Sequence, residues 1–394
     1  MLAYFITVLI KGTAKGLFFP IWILHMSNLK VSLFAIGILG SVLETIRFVT
    51  EIPFGAFADR YGRKVSLFLS ALLNFIAFFL FSLGNTFYMF LFSVLIMGLA
   101  DSFESGALEA WLADYLILKG KSDKFEIEIR KMYIVFITGS IIGAVFITFM
   151  YKINAILPFI VSAILYIIAA LITYFFVPES LQESYNSNSN ESMINKIKLS
   201  ICYIISTKSL FLLSLAVFLF AIGLDGIERF YQTFLKFKKF NIFLISNIYI
   251  ISAIFSLMFM LLQNKLDSPK KNELLIIGCL KISMFMIVTI AVFVKLNIIS
   301  YLCLILFFIL EVLLRPYLQS YLNRYINSEI RATALSFFQF AEASGEILAG
   351  IGIGYFIKVL GISYGLFVSA AFILISGLAV FVLLFFERIY RNVD

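Results

Sequence analysis

Four apolar segments of this 394-residue chain carry ionisable side chains at helical spacing. Lys11 and Lys15 stand four apart and Asp101 and Glu104 three apart. Asp225, Glu228 and Arg229 fall within about one turn, and Glu311 and Arg315 are four apart, so each group shares a helix face. A charge held in hydrocarbon costs at least about 2.5–3.5 kcal/mol, so each needs a partner, a water-filled cavity or a function. With Glu109 the set holds six acids against four bases, an excess that leaves at least one carboxyl to take up a proton or a cation. The chemistry such groups can do is ion binding and proton exchange. Two readings stay open: a polar cavity for a polar or charged solute, or internal pairing, Lys15 with Asp101 or Glu104 and Arg315 with Glu311, without solute contact.

A second set lies on two other apolar segments: Glu44, Arg47 and Glu51 at i, i+3 and i+7, and Glu342 with Glu346 one turn on. Structural contacts within each half of the chain are the competing reading for these. His25, the single histidine, is expected at an interface rather than in a proton relay, and Trp22 and Trp111 as anchors at opposite membrane faces. No nucleophile elbow, zinc spacing or P-loop G-x-x-x-x-G-K-[ST] is present, so catalysis, a bound metal, a cofactor and ATP-driven pumping are not expected. Cys202, Cys279 and Cys303 are odd in number and lie in or beside apolar segments, giving no disulfide framework.

The elements that must position these residues are membrane spans. The chain is 62% hydrophobic and 14% charged, against roughly 45–50% and 25% in soluble domains. Runs such as VSLFLSALLNFIAFFLFSLG and YGLFVSAAFILISGLAVFVLLFF have the length that crosses a hydrocarbon core. Apolar runs and polar breaks predict twelve helices, at about 3–27, 32–56, 65–84, 87–114, 131–151, 156–177, 209–235, 241–263, 273–295, 298–322, 333–358 and 363–386. With both termini cytoplasmic, inner loops and tail hold about eighteen Lys and Arg against about seven outside, which fixes the expected orientation. The net charge of +8 thus belongs to topology rather than to a nucleic-acid partner. MLAYFITVLI lacks a basic flank and a cleavage site and reads as the first span. The Ser- and Asn-rich stretch in 178–200 reads as a cytoplasmic linker, dividing the chain into six-helix halves, 1–177 and 201–394.

Between helices 2 and 3 stands Gly55-Ala56-Phe57-Ala58-Asp59-Arg60-Tyr61-Gly62-Arg63-Lys64. This string resembles the hallmark motif of the major facilitator superfamily in residue types, spacing and place. Gly55 and Gly62 are expected to permit close approach and a tight turn, and Arg60, Arg63 and Lys64 to lie on the positive inner face. Glu51-Ile52-Pro53-Phe54-Gly55, Ser105-Gly106-Ala107-Leu108-Glu109-Ala110 and Arg331-Ala332-Thr333-Ala334-Leu335-Ser336 look like a subgroup rich in drug and small-molecule exporters. Two features depart from it. Helix 4 lacks R-x-x-Q-G, and Gly139-Ser140-Ile141-Ile142-Gly143 on helix 5 lacks the Pro and paired Gly typical of antiporters.

The resemblance implies an all-α integral membrane fold in which helices 1, 4, 7 and 10 line a central cavity. That cavity would hold Lys11, Lys15, Asp101, Glu104, Asp225, Glu228, Arg229, Glu311 and Arg315. It implies that the motif Gly55, Asp59, Arg60, Gly62, Arg63 and Lys64 latches the halves and controls alternation. Arg47 of helix 2 and Glu342 and Glu346 of helix 11, at matching depth, would form a gate between halves. The implied function is proton-coupled efflux of drugs or other small molecules by an antiporter of the bacterial-type cell membrane. Uptake of a polar nutrient, or translocation of a lipid or amphiphile, is the alternative on the same fold. Expected partners are a small-molecule substrate, protons and the lipid bilayer, with no nucleic acid and with a monomer sufficient.

Overall fold

The computed structural model describes residues 1–179, 207–262, 272–325 and 331–391. The expected linker beyond Glu179, together with Cys202, Lys265, Lys270 and Lys271, lies outside them. Among the described residues fourteen α-helices form: α1 (Leu2–Phe18), α2 (Trp22–Asn28), α3 (Leu33–Tyr61), α4 (Arg63–Leu83), α5 (Phe87–Glu104), α6 (Ala107–Leu118), α7 (Phe125–Ile153) and α8 (Leu157–Phe176), then α9 (Lys208–Phe237), α10 (Ile242–Leu262), α11 (Glu273–Phe293), α12 (Asn297–Tyr325), α13 (Arg331–Leu360) and α14 (Ile362–Arg391). They make twelve spans long and apolar enough to cross a membrane, because α1 continues into α2 and α5 into α6. The chain is therefore a multi-pass, all-helical membrane protein.

Local chemistry sets several boundaries. The Ser32 hydroxyl caps α3 by accepting from the Ala35 N–H at 3.2 Å. Pro158 occupies the first turn of α8, where its missing N–H costs nothing. The expected loop between helices 2 and 3 is a single residue. α3 runs on to Tyr61, α4 starts at Arg63, and Gly62 between them has φ 99°, a conformation that disfavours any side chain. Its N–H still reaches the Ala58 carbonyl at 3.0 Å. Gly55 plays neither part expected of it: its φ is not positive, and a Cβ there would meet nothing within 4 Å.

Two compact units form. One gathers α1–α8 with α10; the other holds α9 and α11–α14. α10, the least buried span, belongs to the later part of the sequence, so the compact units and the expected six-plus-six division draw different lines.

Within the first unit the closest approach is between α1 and α7. A Cβ on Gly12 would lie 2.3 Å from the Phe136 carbonyl oxygen, and one on Gly16 2.1 Å from that of Ser140. From the other side, a Cβ on Gly139 would lie 2.3 Å from the Leu9 carbonyl oxygen and one on Gly143 2.2 Å from that of Thr13. Two small-xxx-small stripes thus put backbone against backbone, the packing that joins helices where lipid gives no hydrophobic drive. α4 packs on α5 and α8; in the second unit α11 packs on α12 and α14, and α9 on α13 and α14. The internal pairings of α1, α4, α5 and α8 thus recur in α9, α11, α12 and α14.

Gly16→Val is expected to lower thermal stability in detergent by the ~1–3 kcal/mol or more of an overpacked core, since backbone cannot yield. Gly55→Ala, in open space, is expected to stay within about 0.5 kcal/mol. Equal melting temperatures for the two variants would show that the seam is not tight.

Candidate functional site

On a helix the next residue lies about 100° round. Lys11 and Lys15 immediately precede Gly12 and Gly16, so the seam that turns the glycines to α7 turns the lysines to α5. Lys11 Nζ donates to Glu104 Oε1 at 3.3 Å, and Lys15 Nζ to Asp101 Oδ1 at 3.3 Å, with Glu104 Oε2 at 3.9 Å. Lys11 is 1% exposed, so its charge depends wholly on that carboxylate. Glu104 is the last residue of α5; Ser105 and Gly106, with φ 70°, interrupt the span before α6. A carboxylate at a helix C-terminus faces the negative end of the dipole, which makes the two lysines its necessary counterions. Glu109 belongs elsewhere: it lies in the first turn of α6 and accepts from the Tyr133 hydroxyl.

The helix 2 charges join the same cluster. Arg47 pairs with Glu44 at 3.0 Å and with Asp101 at 3.9 Å, while Glu51 accepts from Ser105 Oγ at 3.0 Å, beside the break. Glu51 is exposed and has no base in this cluster, and the ion-paired members set Lys11, Lys15 and Arg47 against Glu44, Asp101 and Glu104.

The second unit holds a different balance. Arg229 grips Asp225 through two nitrogens at 2.6–3.0 Å, and Arg315 pairs with Glu311, its predecessor by one turn. Glu228 lies within electrostatic reach of Glu311 and Arg315 of α12 and of the Asp225–Arg229 pair on its own helix, as Glu342 of α13 does of Arg315. Four carboxyls thus share two guanidinium groups. Of the acid excess read from the sequence, Glu109 falls to α6 and Tyr133, and the rest lies here, around Glu228. Glu346 stands one turn beyond Glu342 on α13 and also has an interaction partner.

At the motif, Arg63 holds Asp114 of α6 at 3.1 Å and Asp59 at 3.6 Å, and Lys64 holds Glu179 at 3.3 Å. Arg60 lies over the Tyr61 ring at 5.3 Å. The basic residues thereby tie the start of α4 to α3, to α6 and to the segment after α8. Asp114 and Glu179 escaped sequence reading because neither is near the motif in sequence.

Three expectations about aromatic residues change. Trp111 is fully buried, stacked between Tyr4 and Tyr115, with its N–H donating to the Pro178 carbonyl at 3.0 Å. Trp22 is buried too, against Phe18 and Phe19, so neither tryptophan is a belt anchor. His25 lies inside the protein against Phe81, Phe159 and Tyr151 rather than at an interface. Sequence reading also passed over Lys281 on α11. It is 1% exposed, donates to Ser376 Oγ at 2.7 Å and lies 4.6 Å from the Phe220 ring centre. An isolated lysine with no acid on its own face leaves no pairing signal. Among the described residues no cluster of three or more His, Cys, Asp or Glu could hold a metal.

Known proteins place this arrangement. An MFS-type transporter of Bacillus subtilis (strain 168), YxaM, is 28% identical over 369 residues, covering 93% of this chain and 91% of its own. Multidrug resistance protein 2 of the same organism is 28% identical over 273 residues, 66% of either chain. The crystal structure of a mutant of the nucleoside transporter NupG superposes with TM-score 0.84 at 17% identity, covering 97% of this chain and 99% of that one, a likeness of fold alone. The family model of the Major Facilitator Superfamily matches residues 4–350, so the chain belongs to that superfamily and is a transporter, not an enzyme.

Proposed function

We propose that the protein is a secondary active transporter that exports drugs or other small molecules from the cytoplasm across the cell membrane, both termini inside, driven by protons. The observation that carries this reading is the unequal distribution of buried charge: a neutralised cluster on α1, α3 and α5, and two surplus carboxyls on α9, α12 and α13. In alternating access each ligand must differ in affinity between the two open states. A carboxyl without a dedicated base, Glu228, can exchange a proton without first breaking an ion pair. Lys11, Lys15, Asp101 and Glu104, with Asp225, Arg229, Glu311 and Arg315, then supply opposed charges for a polar solute. The motif from Gly55 to Lys64 acts on the conformational equilibrium and not on binding. The relation to a multidrug resistance protein supports export. Uptake of a polar nutrient is the second reading, favoured by the fold shared with a nucleoside transporter and by the missing antiporter signature on helix 5.

Purified protein in liposomes with an imposed pH gradient tests the reading by substrate-dependent proton flux. Candidate drugs give flux if export holds, and only nucleosides or sugars do so under the second reading. Glu228→Gln is expected to abolish the dependence of transport on the gradient while substrate counterflow persists. Undiminished proton flux in that variant would remove Glu228 from the coupling step.

Glu104→Gln leaves Lys11 buried without its counterion, and is expected to cost ~3–5 kcal/mol of stability as well as coupled transport. Adding Lys11→Met should restore most of the stability but not the transport. Thermal unfolding and flux, measured on both variants, separate the two roles; a stable, active Glu104→Gln protein would contradict both.

Arg47 with Glu342 and Glu346 forms the proposed gate. Arg47→Glu and Glu342→Arg should each impair transport, and the double exchange should recover a substantial part of it. A double exchange no better than the worse single variant would assign Arg47 to Glu44 and Asp101 alone.

A further inference from the structure

Behind the lysine–carboxylate cluster, α4 carries polar side chains at every fourth position: Ser66, Ser70 and Asn74. All three are fully buried. Their common face meets α5 and α8. Ser66 Oγ donates to the Phe103 carbonyl at 2.7 Å, Ser70 lies beside the Glu104 carboxylate, and Phe78, one turn past Asn74, packs edge-on against Tyr166 at 5.0 Å. Asn74 therefore stands between Glu104 and Tyr166, and Tyr166 in turn lies within electrostatic reach of Glu104, Asp101 and Tyr249.

The hydrogen-bonding account of this stripe does not close. Neither the amide nitrogen nor the amide oxygen of Asn74 has a hydrogen-bond partner, nor does the Tyr166 hydroxyl, and Glu104 Oε2 lies no nearer to Lys15 Nζ than 3.9 Å. Buried polar groups in native proteins are almost always satisfied, by protein or by ordered water. The second unit shows that burying a polar residue between these helices needs no orphan: Lys281 of α11 donates to Ser376 of α14, which donates to the Ala216 carbonyl. In the first unit the donors and acceptors face one another's neighbourhood and still find no partner. Each step of four residues rises about 6 Å, too far for a direct bond and the span of one bridging water.

We propose that the stripe Ser66–Ser70–Asn74, closed by Tyr166, is an internal water site that runs along α4 past the Glu104 carboxylate beside Ser70 to the Tyr166 hydroxyl, behind the helices that carry the paired charges. Water is the ligand class because the side chains are neutral, fully buried and offer both donors and acceptors. Asn74 uses both ends of its amide, donating to one water and accepting from the next, and Tyr166 terminates the chain. The charged and titratable groups facing the site are Lys11 and Lys15 from α1, Asp101 and Glu104 from α5 and Tyr249 from α10. The site lets Glu104 remain hydrated when its lysines are drawn away, and carries protons between that carboxylate and the Tyr166 end of the stripe by way of Asn74. That last role rests on the proton-coupled reading given above.

X-ray hydroxyl-radical footprinting of the purified full-length protein tests the site without reference to transport. A tyrosine next to bound water is oxidised even when bulk solvent cannot reach it. Tyr166 is expected to be oxidised several-fold faster than Tyr4, which is equally buried but bonded to the Leu108 carbonyl and Met132. Asn74→Leu should bring Tyr166 down to the rate of Tyr4 and lower proton-coupled flux several-fold, with substrate counterflow kept. Tyr166 as inert as Tyr4 in the unaltered protein would overturn the water site. Hydration abolished by Asn74→Leu with coupled flux unchanged would overturn the proton route. Should Asn74→Leu not fold, Tyr166→Phe provides the flux-against-counterflow comparison. Absence of proton flux from the unaltered protein would instead count against the coupling reading, leaving the Tyr166 oxidation rate to decide the water site.

Discussion

Everything in the first unit follows from one contact, the backbone-to-backbone seam of α1 on α7. Gly12, Gly16, Gly139 and Gly143 leave no room for a side chain between the two helices. Once that face of α1 is committed, the residue before each glycine has one direction left, toward α5. Lys11 and Lys15 are thus aimed by their neighbours rather than by their own charge, and Asp101 and Glu104 must meet them because an ammonium group in the interior without a carboxylate would be too costly. Aim comes from packing. Pairing comes from electrostatics.

The break in span 4 falls at the point where those two demands meet. α5 ends on Glu104 and α6 restarts at Ala107, so the carboxylate and the exposed end of a helix coincide. A discontinuity at a charged centre provides backbone groups and a hinge together, which an unbroken helix cannot. α3 is stitched to the same point through Arg47 on Asp101 and Glu51 under Ser105. Movement of any one of α1, α3 or α5 would disturb the charge balance of the other two. The unit is therefore coupled by charge in a way that an apolar bundle would not be.

How much of this is legible in the sequence depends on what each signal reports. The number of spans was, because hydropathy measures the length of apolar chain. Their ends were less so. Asp59, Arg60 and Arg63 look like a loop, yet polar residues can extend a helix past the lipid, and α3 and α4 are separated by Gly62 alone. The break at Gly106 hides inside one continuous apolar stretch. Spacing placed the ionisable groups on shared faces, and the pairs Lys15–Asp101, Asp225–Arg229 and Glu311–Arg315 are of the kind that such faces allow. Partners across helices, such as Asp114 for Arg63, need tertiary knowledge that no local pattern holds. Trp22, Trp111 and His25 look interfacial by type and place near span ends, but type says nothing of which way a side chain faces.

The two units repeat a pairing scheme and differ in how they satisfy its polar residues. Lys281, Ser376 and the Ala216 carbonyl form a closed chain across α11, α14 and α9. Any slide of one of these helices would break a bond to a buried ammonium, so the helix bearing Asp225, Glu228 and Arg229 rests on a fixed support. Around α4 the matching layer is made of Phe18, Phe78, Phe81 and Phe159, with Asn74 and Tyr166 unbonded among them. Aromatic contacts are non-directional enough to survive a small shift, and an amide without a protein partner breaks no protein–protein bond when it moves. The same topology thus yields a stiff layer behind the unit with surplus acid and a compliant one behind the unit whose charges are balanced. Compliance suits ion pairs that part and re-form, the role the proposed transport cycle gives to the lysine–carboxylate pairs of α1 and α5.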